Sequence, residues 1–127
     1  MSAWIEHRRP DGERLGWMRP EGEGFVPVDL LGRDLAGALD WLAAEELLDG
    51  LGIGYLADPY VLELAGEAPL RVRILEVSTD RIRVKRDDFG AIDVPLEAHE
   101  VAWPIPRTLR PLEPGERTGE WPFVANA

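Results

Sequence analysis

The side chains in this chain that are able to do chemistry are few, and none falls in a recognised spacing. His7 and His99 are the only histidines, so a Ser-His-Asp relay or a His-rich metal site would have to draw on one of them. Neither belongs to an HxH, HExxH or GxSxG pattern. His7 lies at the polar end of a strand-like run and His99 in a charged connection, and both read as surface histidines. Asp87, Asp88 and Asp93 carry oxygen ligands of the kind a hard cation takes. Their spacing is not that of an EF-hand loop, and acids around a Phe-Gly turn read as solvated. Asp88-Phe89-Gly90 repeats the kinase magnesium triplet in letters only, without the glycine-rich loop, strand lysine and catalytic loop that give it meaning. Glu45 and Glu46, near Asp40, do not converge as an acid–base pair, because neighbours on a helix point about 100° apart. No catalytic residue, metal or cofactor is expected.

Two sets remain. Arg71, Arg73, Arg81, Arg83, Lys85 and Arg86 crowd into one hairpin, and Arg83 with Asp88 and Asp93 is the set a carboxylate-and-arginine ligand site would use. The second set is apolar: Trp103 and Ile105, then Trp121 and Phe123, in a proline-rich end of the chain. Such a cluster either folds back onto its own domain or docks on a neighbouring chain.

The elements that must position these residues centre on Pro69–Pro95. Strand-like alternation runs over Leu70–Val77 and Arg81–Arg86, with Ser78-Thr79-Asp80 as turn. The register that keeps apolar residues together sets Val77 opposite Ile82, Glu76 opposite Arg83 and Leu75 opposite Val84. In that register Arg81, Arg83 and Lys85 share a face with Leu70, Val72 and Ile74, and Arg71 with Arg73 takes the other. The apolar residues change parity at Ile74–Leu75, which predicts a bulge or a sharply bent strand there. Splitting the cations between two faces argues against a single basic patch.

Before this hairpin, Pro10-Asp11-Gly12-Glu13 marks a turn between strands over 3–9 and 14–19, and Phe25–Val28 reads as a short strand. A helix is expected over Leu35–Asp49, with Asp34 as N-cap and Gly50 at its end. Its stripe would be Leu35, Leu39, Leu42 and Glu46, with Asp40, Glu45 and Asp49 facing water. Short strands are expected at Gly52–Leu56, Tyr60–Leu64, Ala91–Val94 and Glu100–Trp103. Prolines recur from Pro104 onward, so the tail is expected extended and outside the sheet.

A chain of 127 residues matches one domain, and 13 glycines with 11 prolines favour turns and short strands over long helices. The fold class expected is α+β: a mostly antiparallel, strongly bent sheet or small SH3-like barrel of about seven or eight short strands with one helix. A single globular domain over 1–106 with a docked tail over 107–127 is the expected organisation, although a boundary near Gly50 is also conceivable. The net charge of −10 argues against general nucleic-acid affinity and against anionic membranes. No apolar run approaches the ~20 residues of a membrane span, the first residues lack a signal-peptide layout, and cysteine is absent. A cytoplasmic protein is the expectation.

The segments Gly16-Trp17, Glu21–Gly32, Gly52–Leu56 and Val72–Pro95 resemble short proteins of high-GC actinobacteria, a likeness covering about residues 4 to 112. That resemblance implies no activity. The strand rhythm of Tyr60–Trp103 is similar to SH3-like small barrels, a fold analogy that carries no function. The leading expectation is a non-enzymatic protein-interaction or accessory module, with a homodimer or another protein as partner. A small-ligand pocket built on carboxylates and Arg, and nucleic-acid association through the basic hairpin, are the alternatives.

Overall fold

The structure, a computed structural model, describes residues 3–87 and 98–116. These residues form one α-helix and eight strands in two antiparallel sheets, an α+β fold. They fall into two compact units divided between Tyr55 and Leu56, a few residues beyond Gly50.

The first unit holds β1 (Ile5–Arg8), β2 (Arg14–Glu21), β3 (Gly24–Val28) and α1 (Trp41–Leu51), with strand order β1-β2-β3. The Pro-Asp-Gly turn forms as expected: the Glu13 N–H donates to Asp11 Oδ1 at 2.9 Å and the Gly12 N–H to the Arg9 carbonyl at 2.8 Å. Between Arg8↔Arg14 and His7↔Gly16, β2 spends one residue more than β1. The surplus residue is Leu15, and this bulge lets Leu15 and Met18 enter the same core despite their odd spacing. That core also takes Ala44 and Leu48 of α1, with Phe25, Leu35, Leu39 and Ile53 against it. Gly16 is required by close approach, since a Cβ there would lie 2.1 Å from the Val28 carbonyl oxygen.

The helix begins six residues later than expected. Residues Leu35 and Leu39 reach the core from an extended segment, which pairs with the free side of β3 through bridges Phe25↔Leu39 and Val28↔Asp34. The Phe25 N–H donates to the Leu39 carbonyl at 2.7 Å and the Leu39 N–H returns a bond to Phe25 at 2.9 Å. Two residues then compete to cap the helix, and Asp40 wins, its side chain accepting from the Ala43 N–H at 2.8 Å. Asp34 is instead held by Arg19 in a two-pronged pair of 2.6 and 3.0 Å. The helix ends at Gly52, with φ of +64° and its N–H bonded to the Leu48 carbonyl, not at Gly50. The strand expected over Gly52–Leu56 gives way to the helix end and a 3-10 turn at Gly54–Ala57.

The second unit holds β4 (Tyr60–Leu62), β5 (Leu70–Val77), β6 (Ile82–Arg86), β7 (Ala98–Val101) and β8 (Leu109–Pro111). Their order is β7-β6-β5-β4-β8, an open sheet rather than a barrel. Strand β8 lies within the tail expected outside the sheet; it pairs with β4 through Val61↔Arg110 and Leu62↔Leu109. Its proline closes an edge strand, a position where the missing N–H is tolerated. Fully buried Tyr60, Leu62, Val72, Ile82, Val84 and Leu109 form the core side of this sheet, each stabilising by roughly 1.5–3 kcal/mol on burial.

The central hairpin confirms Val77↔Ile82 and Glu76↔Arg83, then departs from expectation by one residue. Val84 pairs with Ile74, so Leu75 is bulged out and stands 43% exposed. The bulge absorbs the parity change. Val72, Ile74, Val77, Ile82 and Val84 therefore stay on one face, and Arg71, Arg73, Arg83 and Lys85 stay together on the other. The expected division of the cations between two faces is corrected by this bulge. The expected strand over 91–94 lies outside the described residues.

Candidate functional site

The described polar residues are mostly committed to structure. Asp29 is fully buried; its carboxylate accepts from the Leu31 N–H at 2.9 Å, the Arg33 N–H at 3.0 Å and Arg33 Nε at 2.7 Å. Arg33 in turn lies over the Tyr55 ring, whose hydroxyl accepts from the Leu30 N–H. These contacts satisfy a buried charge that would otherwise cost several kcal/mol. On the polar face of the second sheet, Asp87 accepts from Arg71 and Arg73, both at 3.0 Å. Arg81 pairs with Glu76 and Glu100, and Arg83 lies 3.8 Å from Glu76. Arg110 is gripped by Glu63 at 2.8 Å and Glu116 at 2.6 Å. Its hydrogen bonds, with one from the Glu113 N–H, push the Glu116 carboxyl down to about 2.

Of the residues picked out from sequence, Arg83 lies beside Glu76, and Asp88 and Asp93 lie outside the described residues. Trp103 and Ile105 are half-buried in the stretch before β8, while Trp121 and Phe123 lie outside the described residues. Among the described residues no group of three or more His, Cys, Asp or Glu side chains is arranged to hold a metal ion. No described helix is long and apolar enough to cross a membrane.

One surface of the first unit differs from the rest. Strand β1 is the outer strand of its sheet, hydrogen-bonded to β2 alone. Its two faces have different chemistry. Ile5 pairs with Met18, a core residue under α1, so Ile5 and His7 lie on the helix side. Glu6 and Arg8 lie on the other side and are hydrogen-bonded to each other, with Arg14 also on Glu6. The Arg8 guanidinium, chiefly, holds the Glu6 carboxyl below its ordinary value.

On the helix side, His7 Nε2 lies 2.8 Å from Asp49 Oδ1, and Nδ1 lies 3.8 Å from Glu45 Oε2. This clasp spans more than forty residues of sequence, so neither histidine nor helix spacing could announce it. It also fixes which stripe of α1 overlooks β1: Glu45 and Asp49, hence Leu42 on the same side one turn earlier. Trp41 packs edge-on against Phe25 at 5.1 Å while Leu48 sits above Gly16. The start of α1 therefore lies toward the Ile5 end of β1. Leu42 is 62% exposed, although the helical stripe predicted it buried, and Ile5 and Trp41 are 40% and 39% exposed. An unpaired strand edge and two exposed apolar side chains, Ile5 and Leu42, thus share one side of the first unit, while Trp41 lies over Phe25 of β3. Sequence reading missed this surface because the helix was started too early.

No protein-family model, curated protein or solved structure matches this chain.

Proposed function

We propose that this protein is a non-enzymatic interaction module that works through the β1–α1 side of its first unit. The observation that carries this reading is the exposure of Leu42 and Ile5 beside an unpaired strand edge. Each exposed apolar side chain forgoes roughly 1–2 kcal/mol of burial, which a partner surface would recover. The interaction is tested by chemical cross-linking of the full chain, both purified and in lysate, with Leu42→Lys against a control, Glu67→Lys, in an exposed turn of the second unit. A cross-linked species that disappears with Leu42→Lys and persists with Glu67→Lys is expected. Equal cross-linking of both variants, or none with the parent chain, overturns the reading.

One observation favours a second reading, association with a nucleic acid through the β5–β6 hairpin. Arg71, Arg73, Arg83 and Lys85 are co-facial. Asp87, Glu76 and Glu100 are paired into that same face, so its net charge is small, and the chain carries −10. Steeply salt-dependent retardation of single-stranded RNA or DNA would support it; unchanged mobility at low salt disposes of it.

A further inference from the structure

Resting on the interaction-module reading, we infer that the occupant of the β1 edge is β1 of a second copy of this chain, laid antiparallel about a two-fold axis at His7. The observation that selects this partner is the order of charges along β1.

In a two-fold antiparallel pair, side chains directly opposite one another share a face, so the register can advance only in steps that keep face with face. Three registers keep the centre of β1 engaged. Centring on Glu6 sets Glu6 against Glu6, and centring on Arg8 sets Arg8 against Arg8; both place like charges directly opposite, which is destabilising. Centring on His7 sets Glu6 of each copy against Arg8 of the other, twice over. The order Glu6-His7-Arg8 in an outer strand is thus self-complementary in one register and repulsive in the two beside it.

The neighbouring side chains fit this arrangement. Glu6 and Arg8 already lie on one face and within bonding distance of each other inside a single copy, so the cross-chain pairs exchange partners without turning either side chain to the other side. On the helix side, Ile5, 40% exposed, falls opposite Arg9 of the second copy in this register, whose aliphatic stem can cover it. The His7 rings are each retained by Asp49 of their own copy, leaving the strand edge itself clear. The joined sheet would have six strands, three from each copy, with the axis between the two β1 strands. Isolated surface ion pairs are weak; here they fix register, and the backbone ladder holds the copies together.

The test is a charge swap on the full chain, read as molar mass by sedimentation equilibrium or light scattering over a range of concentration. The parent chain is expected to rise from its monomer mass of 14.2 kDa toward twice that value. Glu6→Arg alone and Arg8→Glu alone are each expected to weaken self-association by about tenfold or more, because each sets like charges opposite. The double variant Glu6→Arg/Arg8→Glu restores opposite pairs and should recover the dimer. Mixing the two single variants should produce a heterodimer, since one chain then presents only Arg and the other only Glu. Circular dichroism of each variant establishes that it is folded, and a folded single variant that dimerises as well as the parent overturns the proposal. A strictly monomeric parent overturns it too. If that monomer still forms a Leu42-dependent cross-link in lysate, the interaction module stands and only its self-pairing falls; if it forms none, both fall together.

Discussion

Deleting Leu75 should leave the protein folded. In most strands, losing one residue shifts everything beyond it to the opposite face of the sheet. Here the residue removed is the surplus one. Without Leu75 the segment reads Leu-Arg-Val-Arg-Ile-Glu-Val, a regular alternation in which Ile74↔Val84, Glu76↔Arg83 and Val77↔Ile82 are all retained. The loss is the buried part of one leucine. Leu75 is 43% exposed, so about half of the roughly 2 kcal/mol that a fully buried leucine contributes, or about 1 kcal/mol, is forfeited. Against this, one fewer residue has to be ordered, which returns roughly 1 kcal/mol of backbone entropy. The two terms nearly cancel, and the deletion should shift stability by no more than about 1 kcal/mol. Deleting Val84 is the contrast: it slides Lys85 opposite Ile74, carrying a lysine onto the buried face, and should cost more than about 3 kcal/mol. Urea unfolding followed by circular dichroism measures both. A loss above about 3 kcal/mol for the Leu75 deletion would refute the bulge and restore the unbroken register with Leu75 opposite Val84.

Asp29→Ala removes the acceptor for two backbone N–H groups and strands the Arg33 side chain beside a buried site; a loss of about 3 kcal/mol is expected in urea unfolding. Asp29→Asn keeps part of the acceptor geometry and should cost clearly less. Gly16→Ala drives a methyl group into the Val28 carbonyl and should destabilise by about 2–4 kcal/mol, whereas Gly37→Ala, with open space around it, should not. Glu116 has its carboxyl depressed by Arg110, so its contribution is fully present above its ordinary value of 4.5 and is lost as pH falls through about 2. The stability difference between the parent chain and Glu116→Gln should therefore be constant above that upper value and shrink toward the lower one; a difference that grows on acidification would contradict the Arg110–Glu116 pair.

How much of this could be read from residues alone differs by element. The β5–β6 hairpin was legible because its alternation is long and its parity break is local, and the break falls at Ile74–Leu75, where the bulge forms. What the pattern could not resolve was which residue carries the surplus, and with it the side on which the cations gather. The helix was misplaced because Leu35 and Leu39 satisfy helical spacing and extended pairing equally, and because Asp34 and Asp40 are both competent caps. Tertiary contacts break that tie, the pair of Arg19 with Asp34 and the backbone bonds of Leu35 and Leu39 to β3. Strand β8 was hidden by brevity and proline. The β1–α1 surface was invisible for a different reason: the His7 clasp joins residues far apart in the chain, and the exposure of Leu42 follows only once the helix starts at Trp41.

The hydrogen-bond ladders also impose an order on synthesis. Every strand partner of β1, β2 and β3, and the capping residues of α1, precede Tyr55. The first sheet can therefore complete its pairing while the remainder is still being translated, as N-terminal units commonly do. The second sheet has no such freedom, because β4 receives its outer neighbour, β8, only when Leu109–Pro111 is delivered. Until then β4 offers an open edge on the nascent chain, and the grip of Glu63 and Glu116 on Arg110 is what finally shuts it. In a ribosome-bound series of increasing length, protease resistance should arise in two steps, the later one waiting for Glu116 to emerge.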